Sequence, residues 1–205
     1  MTAPSWIIAG LGNPGAEYAE TRHNIGWMVV EALVRKYGGT WRQGVGPWLE
    51  ASVTIAGEPV LCILPLTYMN RSGEAVHAVQ RLTGVPTDRI VVVLDELNFP
   101  LGRLHLKPSG SDGGHNGLRS VIALLGTQQI PRLRCGIGRN FQPGQMADYV
   151  LSPFESHEWA ERDRMVERAV AVLEYLVRYG LQRAMSLTNV ATPPHAEQSA
   201  VPRAD

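Results

Sequence analysis

The chain has 205 residues, 44% of them hydrophobic, with 19 basic and 19 acidic side chains. That is enough apolar material for one well-filled core, most simply a single domain, and the balanced charge excludes a polycation that holds nucleic acid by bulk charge alone. No apolar run approaches the roughly 18 residues that span a bilayer, and no charged-then-apolar leader is present. Cys62 and Cys135 stand far apart inside apolar, strand-like runs without C-x-x-C spacing, as buried thiols do in a reducing compartment. The expectation is a soluble, cytoplasmic, monomeric protein that makes no contact with membrane.

Trp6-Ile7-Ile8-Ala9 is a short apolar run suited to a buried strand, and it leads into the polar, glycine-rich stretch GLGNPGAEYAETRHNIG from Gly10 to Gly26. Gly10, Gly12 and Gly15 spell the dinucleotide fingerprint G-x-G-x-x-G. The context is wrong for it: Pro14 interrupts the glycines, a polar segment follows where a helix should open, and Glu31, the acid at about the right distance, falls inside a helical pattern. A tight turn explains the glycines but not Asn13 and His23. Beyond the loop, Ile25, Met28, Val29, Ala32, Leu33 and Tyr37 recur at helical spacing, and Gly38-Gly39 closes that helix.

Glu50 to Ile55 and Pro59 to Leu64 are β-rich runs around Gly57-Glu58, a hairpin pattern that calls for a mixed sheet. The second run stops at Pro65 and delivers Thr67 to Gly73, after which Ala75, Val76, Val79 and Leu82 mark a helix with Ser72 as its candidate N-cap. Ile90 to Leu94 is a fully apolar, β-branched run typical of a central parallel strand, and it ends in Asp95-Glu96. In open α/β sheets, groups just past the carboxyl ends of strands face the ligand site, so Asn13, Asn70 and Asp95 should converge.

Leu101 to Lys107 reads as a strand, Ser109 to Gly117 as a glycine-rich loop, Leu118 to Leu125 as a helix and Leu133 to Ile137 as a further strand. Ser152-Pro153-Phe154-Glu155 has the capping-box pattern with proline at the first helical position. The long helix it should open carries Val166, Ala169, Val170, Leu173, Leu176 and Val177 on one stripe and ends at Gly180. From Ala191 onward no apolar periodicity remains, which is the pattern of a disordered tail. The expected fold is α/β: a single three-layer α/β/α globule over residues 1–190, on a mixed, mostly parallel sheet with one hairpin, followed by a tail over 191–205.

The chain lacks a G-x-S-x-G elbow, a Walker A loop and an H-E-x-x-H motif. His77, His157 and His195 have no ligand spacing around them. His23 differs, because it stands in a polar loop past a strand end, where an imidazole of ordinary pKa can act as a general base near neutral pH. Such a base needs an acceptor on its other nitrogen, and Asp95 is the best-placed carboxylate. Asn13, Asn70 and Asn116 come from three different loops; convergent amides suit carbonyl-rich ligands such as peptides and can stabilise an oxyanion. Taken singly, each is also an ordinary turn residue. From Gly102 to Asn140 the basic residues Arg103, Lys107, Arg119, Arg132, Arg134 and Arg139 stand against Asp112 alone, which fits either a polyanionic partner or a solvated face balanced elsewhere.

GLGNPG at Gly10 to Gly15, TRHNIG at Thr21 to Gly26, TYMNRSG at Thr67 to Gly73, DELNFPLG at Asp95 to Gly102 and GGHNGL at Gly113 to Leu118 occur together and in this order. With these motifs the chain resembles the bacterial peptidyl-tRNA hydrolases over about Ile7 to Gly180. The resemblance implies a mixed-sheet α/β/α fold and hydrolysis, without metal or other cofactor, of the ester joining a peptide to the 3′ end of tRNA, with peptidyl-tRNA as partner. It implies that His23 activates water, that Asp95 orients it, and that Asn13, Asn70 and Asn116 line the substrate crevice with Met69 and His115 beside them. Lys107 and Arg134 match basic residues that hold a tRNA phosphate, and Tyr18 and Tyr68 are counted with the substrate- and tRNA-binding set. Two positions depart from the pattern: Asn98, where many relatives carry an aspartate, and Asp112, a carboxylate in a loop otherwise built of small uncharged residues. An RNA-binding relative without catalysis, and a small-molecule hydrolase or phosphorylase on the same sheet, remain as alternatives.

Overall fold

The computed structural model describes residues 3–189. Seven strands form one sheet: β1 (Trp6–Gly10), β2 (Arg42–Gln43), β3 (Trp48–Ile55), β4 (Glu58–Pro65), β5 (Ile90–Glu96), β6 (Leu104–Lys107) and β7 (Arg132–Gly136). Their order across the sheet is β2-β3-β4-β1-β5-β7-β6, with β4, β1, β5 and β7 parallel and the outer strands antiparallel to their neighbours. The helices are α1 (Ile25–Lys36), α2 (Ser72–Thr83), α3 (Asn116–Leu125), α4 (Met146–Val150), α5 (Trp159–Tyr179) and α6 (Leu181–Thr188).

Every residue of β1 is buried, which is why its sequence shows no alternation: both faces are covered. Ile8, Val91 and Val93 point to the layer formed by α1 and α5, while Ile7, Ala9 and Val92 point to the layer of α2 and α3. The expected three-layer mixed-sheet architecture is thus the observed one.

The first turn of α1 lies directly on the sheet backbone. A Cβ at Gly26 would sit 2.3 Å from the Val93 carbonyl oxygen and 2.6 Å from that of Leu11, so the glycine ending the TRHNIG motif is required by close packing rather than by a turn. α1 opens at Ile25, ten residues beyond Gly15, so the glycines of the opening loop are not followed by the helix that a dinucleotide fingerprint needs.

Several boundaries differ from the sequence expectation. The hairpin turns at Ala56-Gly57, with φ of 54° and 88°, and not at Gly57-Glu58, because Ile55 pairs with Glu58 across a two-residue turn that needs positive φ at both positions. Ser72 is the first residue of α2 rather than its cap; its hydroxyl donates back to the Met69 carbonyl at 2.8 Å. α5 opens at Trp159, well past Ser152, because Pro153 pairs with Thr21 in an isolated bridge that holds this segment extended. The capping box lies one turn further on than expected, with Glu155 as its N-cap and Glu158 as its N3 residue, whose carboxylate accepts the Glu155 N–H at 2.7 Å. α3 begins two residues earlier than expected, at Asn116, capped by the His115 ring.

β2, α4 and α6 carry no strong periodic signal and were not expected. α6 leads to Asn189, whose amide pairs with both backbone groups of Leu106 at 2.9 and 2.8 Å and so protects part of the edge strand β6. Cys62 and Cys135 are free and buried, as expected. The expected tail over 191–205 and His195 lie outside the described residues.

Candidate active site

The loops after β1 and β4 and the end of β5 open onto a cleft of about 700 Å³, at the carboxyl ends of the parallel strands where such sheets place ligands. Asn13, His23, Asn70 and Asp95 all line it, so three separate strand ends bring the expected groups together. Tyr68, Met69, His115 and Asn116 line it as well, and so do Lys107 and Arg134. Tyr18 does not; it stands edge-on to Tyr68 with ring centroids 6.4 Å apart. His77 and His157 take no part, the latter lying on the surface 3.4 Å from Glu155.

His23 sits in a short 3₁₀ turn, Arg22–Asn24, just before α1. Its Nδ1 lies 2.8 Å from Asp95 Oδ1, which places the ring proton on Nδ1 and leaves Nε2, without a protein partner among the described residues, to face the cleft. Burial of the ring works against its charged form, but the charge of Asp95 and the hydrogen bond to it outweigh that effect and hold the His23 pKa above the ordinary 6.5. For Asp95, burial acts to raise the pKa, and the two neighbouring imidazoles override it, so the carboxylate stays ionised far below the usual range. The two directions agree: the buried pair favours a carboxylate beside an imidazole ready to accept charge.

His115 takes a position that the sequence did not reveal. It turns inward, with Nε2 2.8 Å from the same Asp95 oxygen and Nδ1 accepting the Leu118 N–H at 3.2 Å. The donor atoms of His23, Asp95 and His115 lie within 4.8 Å of one another, a set that a divalent cation could bridge. Both nitrogen–oxygen distances are nonetheless those of N–H···O hydrogen bonds, so protons already satisfy the group.

Asn13 has one end fixed and one end free. Its Oδ1 accepts the Met69 N–H at 2.7 Å, and its backbone N–H and C=O both pair with the Asn24 side chain at 2.9 Å. With the oxygen so engaged, the amide must present Nδ2, a donor, toward the cleft. Tyr68, at φ 54° and ψ 158°, occupies a backbone region that non-glycine residues avoid, and the residue is 54% exposed where it lines the cleft.

Residues 7–197 match the family model described as peptidyl-tRNA hydrolase. The chain belongs to the peptidyl-tRNA hydrolase family. It is 40% identical over 183 residues to the peptidyl-tRNA hydrolase of Fervidobacterium nodosum, covering 89% of this chain and 95% of that one. With peptidyl-tRNA hydrolase 2 of Corynebacterium jeikeium it shares 48% identity over 154 residues, 75% of this chain and 64% of that one. The crystal structure of peptidyl-tRNA hydrolase from Acinetobacter baumannii matches with a TM-score of 0.87 at 35% identity, covering 95% of this chain and 100% of that one.

Against this peptidyl-tRNA hydrolase framework the basic residues divide into distinct groups. Arg132 is buried and donates to the carbonyls of Gly110, Gln128 and Ile130, so it braces the glycine-rich loop. Arg134 is engaged by Glu96, with Nε 2.8 Å from Oε2, and its guanidinium lies 4.7 Å from the Phe99 ring. Arg119 stands 3.5 Å from Asp112. Lys107 has no ion-pair or hydrogen-bond partner among the described residues. The excess of positive charge counted along the sequence is therefore smaller in space, because Glu96 lies just outside the counted segment. The two departures are absorbed locally: Asn98 donates to Glu96 and accepts from Arg139, and Asp112 accepts the Gly114 N–H at 2.7 Å.

The sequence reading also missed Arg22 and Asn24, although both sit in a motif it singled out. Arg22 is buried, ion-paired with Glu158 at 2.7 Å and stacked 4.5 Å from the Tyr149 ring. It pins the His23 turn to the 153–158 segment, 131 or more residues away in sequence, a partner that local pattern cannot supply.

Proposed function

We propose that this chain hydrolyses the ester between a peptide and the 3′ end of tRNA by direct attack of water, with His23 as general base. The observation that carries the reading is the 2.8 Å His23–Asp95 pair, which leaves His23 Nε2 facing a cleft large enough for a peptide terminus. Water gives its proton to Nε2 as its oxygen bonds to the ester carbon, and Asp95 stabilises the imidazolium that forms. The tetrahedral oxyanion is met by a fixed donor, Asn13 Nδ2. Its collapse breaks the bond to the ribose oxygen, which takes the proton back from His23 and leaves as the 3′-hydroxyl.

On this reading Asn70 and Asn116, both exposed at the cleft, pair with the carbonyl and N–H groups of the peptide, and Met69 packs beside them. Tyr68, backed by Tyr18, offers a ring face at the rim, and Lys107 neutralises a phosphate of the tRNA. Arg134 joins it only if Glu96 releases it. His115 belongs to the Asp95 cluster more than to the substrate. We further propose one catalytic domain over residues 1–190 acting as a monomer in the cytoplasm; no helix among the described residues is long and apolar enough to cross a membrane.

The test is peptide release from N-acetyl-aminoacyl-tRNA. His23→Ala should lower turnover by roughly 10²–10⁴, the loss of a general base, while tRNA binding stays within about twofold. Near-native turnover would remove His23 from the chemistry, and binding without turnover in the native protein would leave an RNA-binding module.

A further inference from the structure

Two imidazoles converge on one carboxylate oxygen. His23 Nδ1 and His115 Nε2 each lie 2.8 Å from Asp95 Oδ1, with ring centroids 5.1 Å apart. Asp95 is buried in β5, and among the described residues these are its only side-chain hydrogen-bond partners. The proton on His115 can be placed from its other contact. Its Nδ1 accepts the Leu118 N–H as the N-cap of α3, and a nitrogen that accepts carries no proton. The remaining ring proton is on Nε2, directed at Asp95.

We propose that His115 is a positioning residue, which holds Asp95 in register for His23 and sets the pH at which His23 becomes competent as a base. This rests on the general-base reading of His23. Two consequences follow from the shared oxygen. Orientation comes first: the His115 hydrogen bond holds Asp95 Oδ1 from a second direction, so the acceptor that aims the His23 ring is itself fixed. The second consequence is basicity. A carboxylate oxygen that already accepts one hydrogen bond stabilises a neighbouring imidazolium less than one that accepts none, so the His115 donation holds the basicity of His23 down. The other charged or titratable groups nearby are the thiol of Cys135, the residue in register with Asp95 across β5 and β7, which burial keeps protonated, Arg22, directed away to Glu158, the Asp112–Arg119 pair on the glycine loop and α3, and, lining the same cleft, Lys107 and the Arg134–Glu96 pair. None of these groups hydrogen-bonds His23, Asp95 or His115 through its side chain among the described residues.

Two substitutions separate the contacts of His115. His115→Asn retains an acceptor near the position of Nδ1, and asparagine is a favoured N-cap, but it is too short to reach Asp95. His115→Gln can bring an amide N–H to Asp95 at the cost of the cap. The acid limb of kcat/KM against pH should move up by roughly half to one unit in His115→Asn, with a lower plateau, and should stay near native in His115→Gln, whose melting temperature falls instead. The His23 ring titration, followed by NMR in the absence of substrate, should move by the same amount in His115→Asn. That measurement does not depend on His23 being the base. An unmoved His23 titration in folded His115→Asn would overturn the proposal. Nitrogen-15 shifts of the native imidazoles provide a test without any variant: a proton found on Nδ1 of His115 would overturn it equally.

Discussion

Asn13 and Asn24 exchange two hydrogen bonds, the Asn13 N–H donating to Asn24 Oδ1 and Asn24 Nδ2 donating to the Asn13 carbonyl, each at 2.9 Å. Both residues are buried, so water does not stand ready to replace either bond. The pair fixes the loop after β1 to the residue that precedes α1, and the Met69 N–H donated to Asn13 Oδ1 extends the tie to the loop after β4. His23 is the neighbour of Asn24, so the geometry of the proposed base and of the proposed oxyanion donor is set by one amide.

Asn24→Ala should therefore lower both stability and turnover. It leaves a buried N–H and a buried C=O unpaired, worth roughly 2–4 kcal/mol together, and it frees the loop that aims Asn13 Nδ2. Urea denaturation and single-turnover hydrolysis check the two effects. A variant with native stability would mean that the loop relaxes to water and that the pair is not structural. Asn24→Asp should be no better, since it removes the donor to the Asn13 carbonyl and buries a charge beside it.

The raised pKa of His23 gives opposite pH trends for activity and stability. As a base the ring must be neutral, so kcat/KM should fall as pH drops through a value above the ordinary 6.5. The stability from the His23⁺–Asp95 pair has the reverse sign: it is fully present below the unfolded value of 6.5 and is lost as pH rises through the higher folded value. Asp95→Asn removes the partner, so the acid limb should shift to lower pH as the plateau falls, and that stability increment should vanish. A pH–rate profile whose acid limb keeps its native position in Asp95→Asn would separate Asp95 from the basicity of His23.

What the sequence revealed about the fold follows from local rules. The run Ile90 to Leu94 reads as a central parallel strand because both faces of β5 are covered, and the stripe on α5 is legible because one face meets α1 and the sheet while the other meets water. The candidate site was legible where a residue type is rare in its setting, as with His23 in a polar loop and Asp95 at the end of an apolar strand. What escaped depends on partners distant in the chain. Arg22 meets Glu158, Arg134 meets Glu96, and His115 shares Asp95 with His23; neither spacing nor composition records such contacts. The shifted opening of α5 has the same origin, since Pro153 is held by Thr21.

The contact of α1 with the sheet is tested by glycine replacement. Gly26→Ala sets a methyl group 2.3 Å from the Val93 carbonyl oxygen, and backbone on both sides cannot yield cheaply. Destabilisation of about 3 kcal/mol or more is expected, with the His23 turn displaced. Gly84→Ala is the control: at φ 71° with nothing within 4 Å of the added carbon, only the left-handed backbone opposes it, at roughly 1 kcal/mol. Equal losses in the two variants would show that the Gly26 contact relaxes.

Lys107 and Arg134 line the same cleft, yet Lys107 stands without a partner among the described residues while Arg134 is engaged by Glu96. Counterion release counts cations that neutralise phosphate, about 0.7–0.9 in the slope of log affinity against log salt for each contact. Lys107→Ala should flatten that slope by about one contact. Arg134 adds nothing while its charge is spent on Glu96, so Glu96→Gln should do what few substitutions do and tighten tRNA binding, steepening the slope by up to one contact as Arg134 is released. Glutamine keeps the Oε1 acceptor that Asn98 uses at 2.8 Å, so the loop beside it should hold. In the Arg134→Ala background the same Glu96→Gln change should lose most of its effect on the slope, because no cation remains to be freed. If Glu96→Gln leaves the slope unchanged while Lys107→Ala flattens it, Arg134 is not a phosphate contact and its role is confined to Glu96 and Phe99.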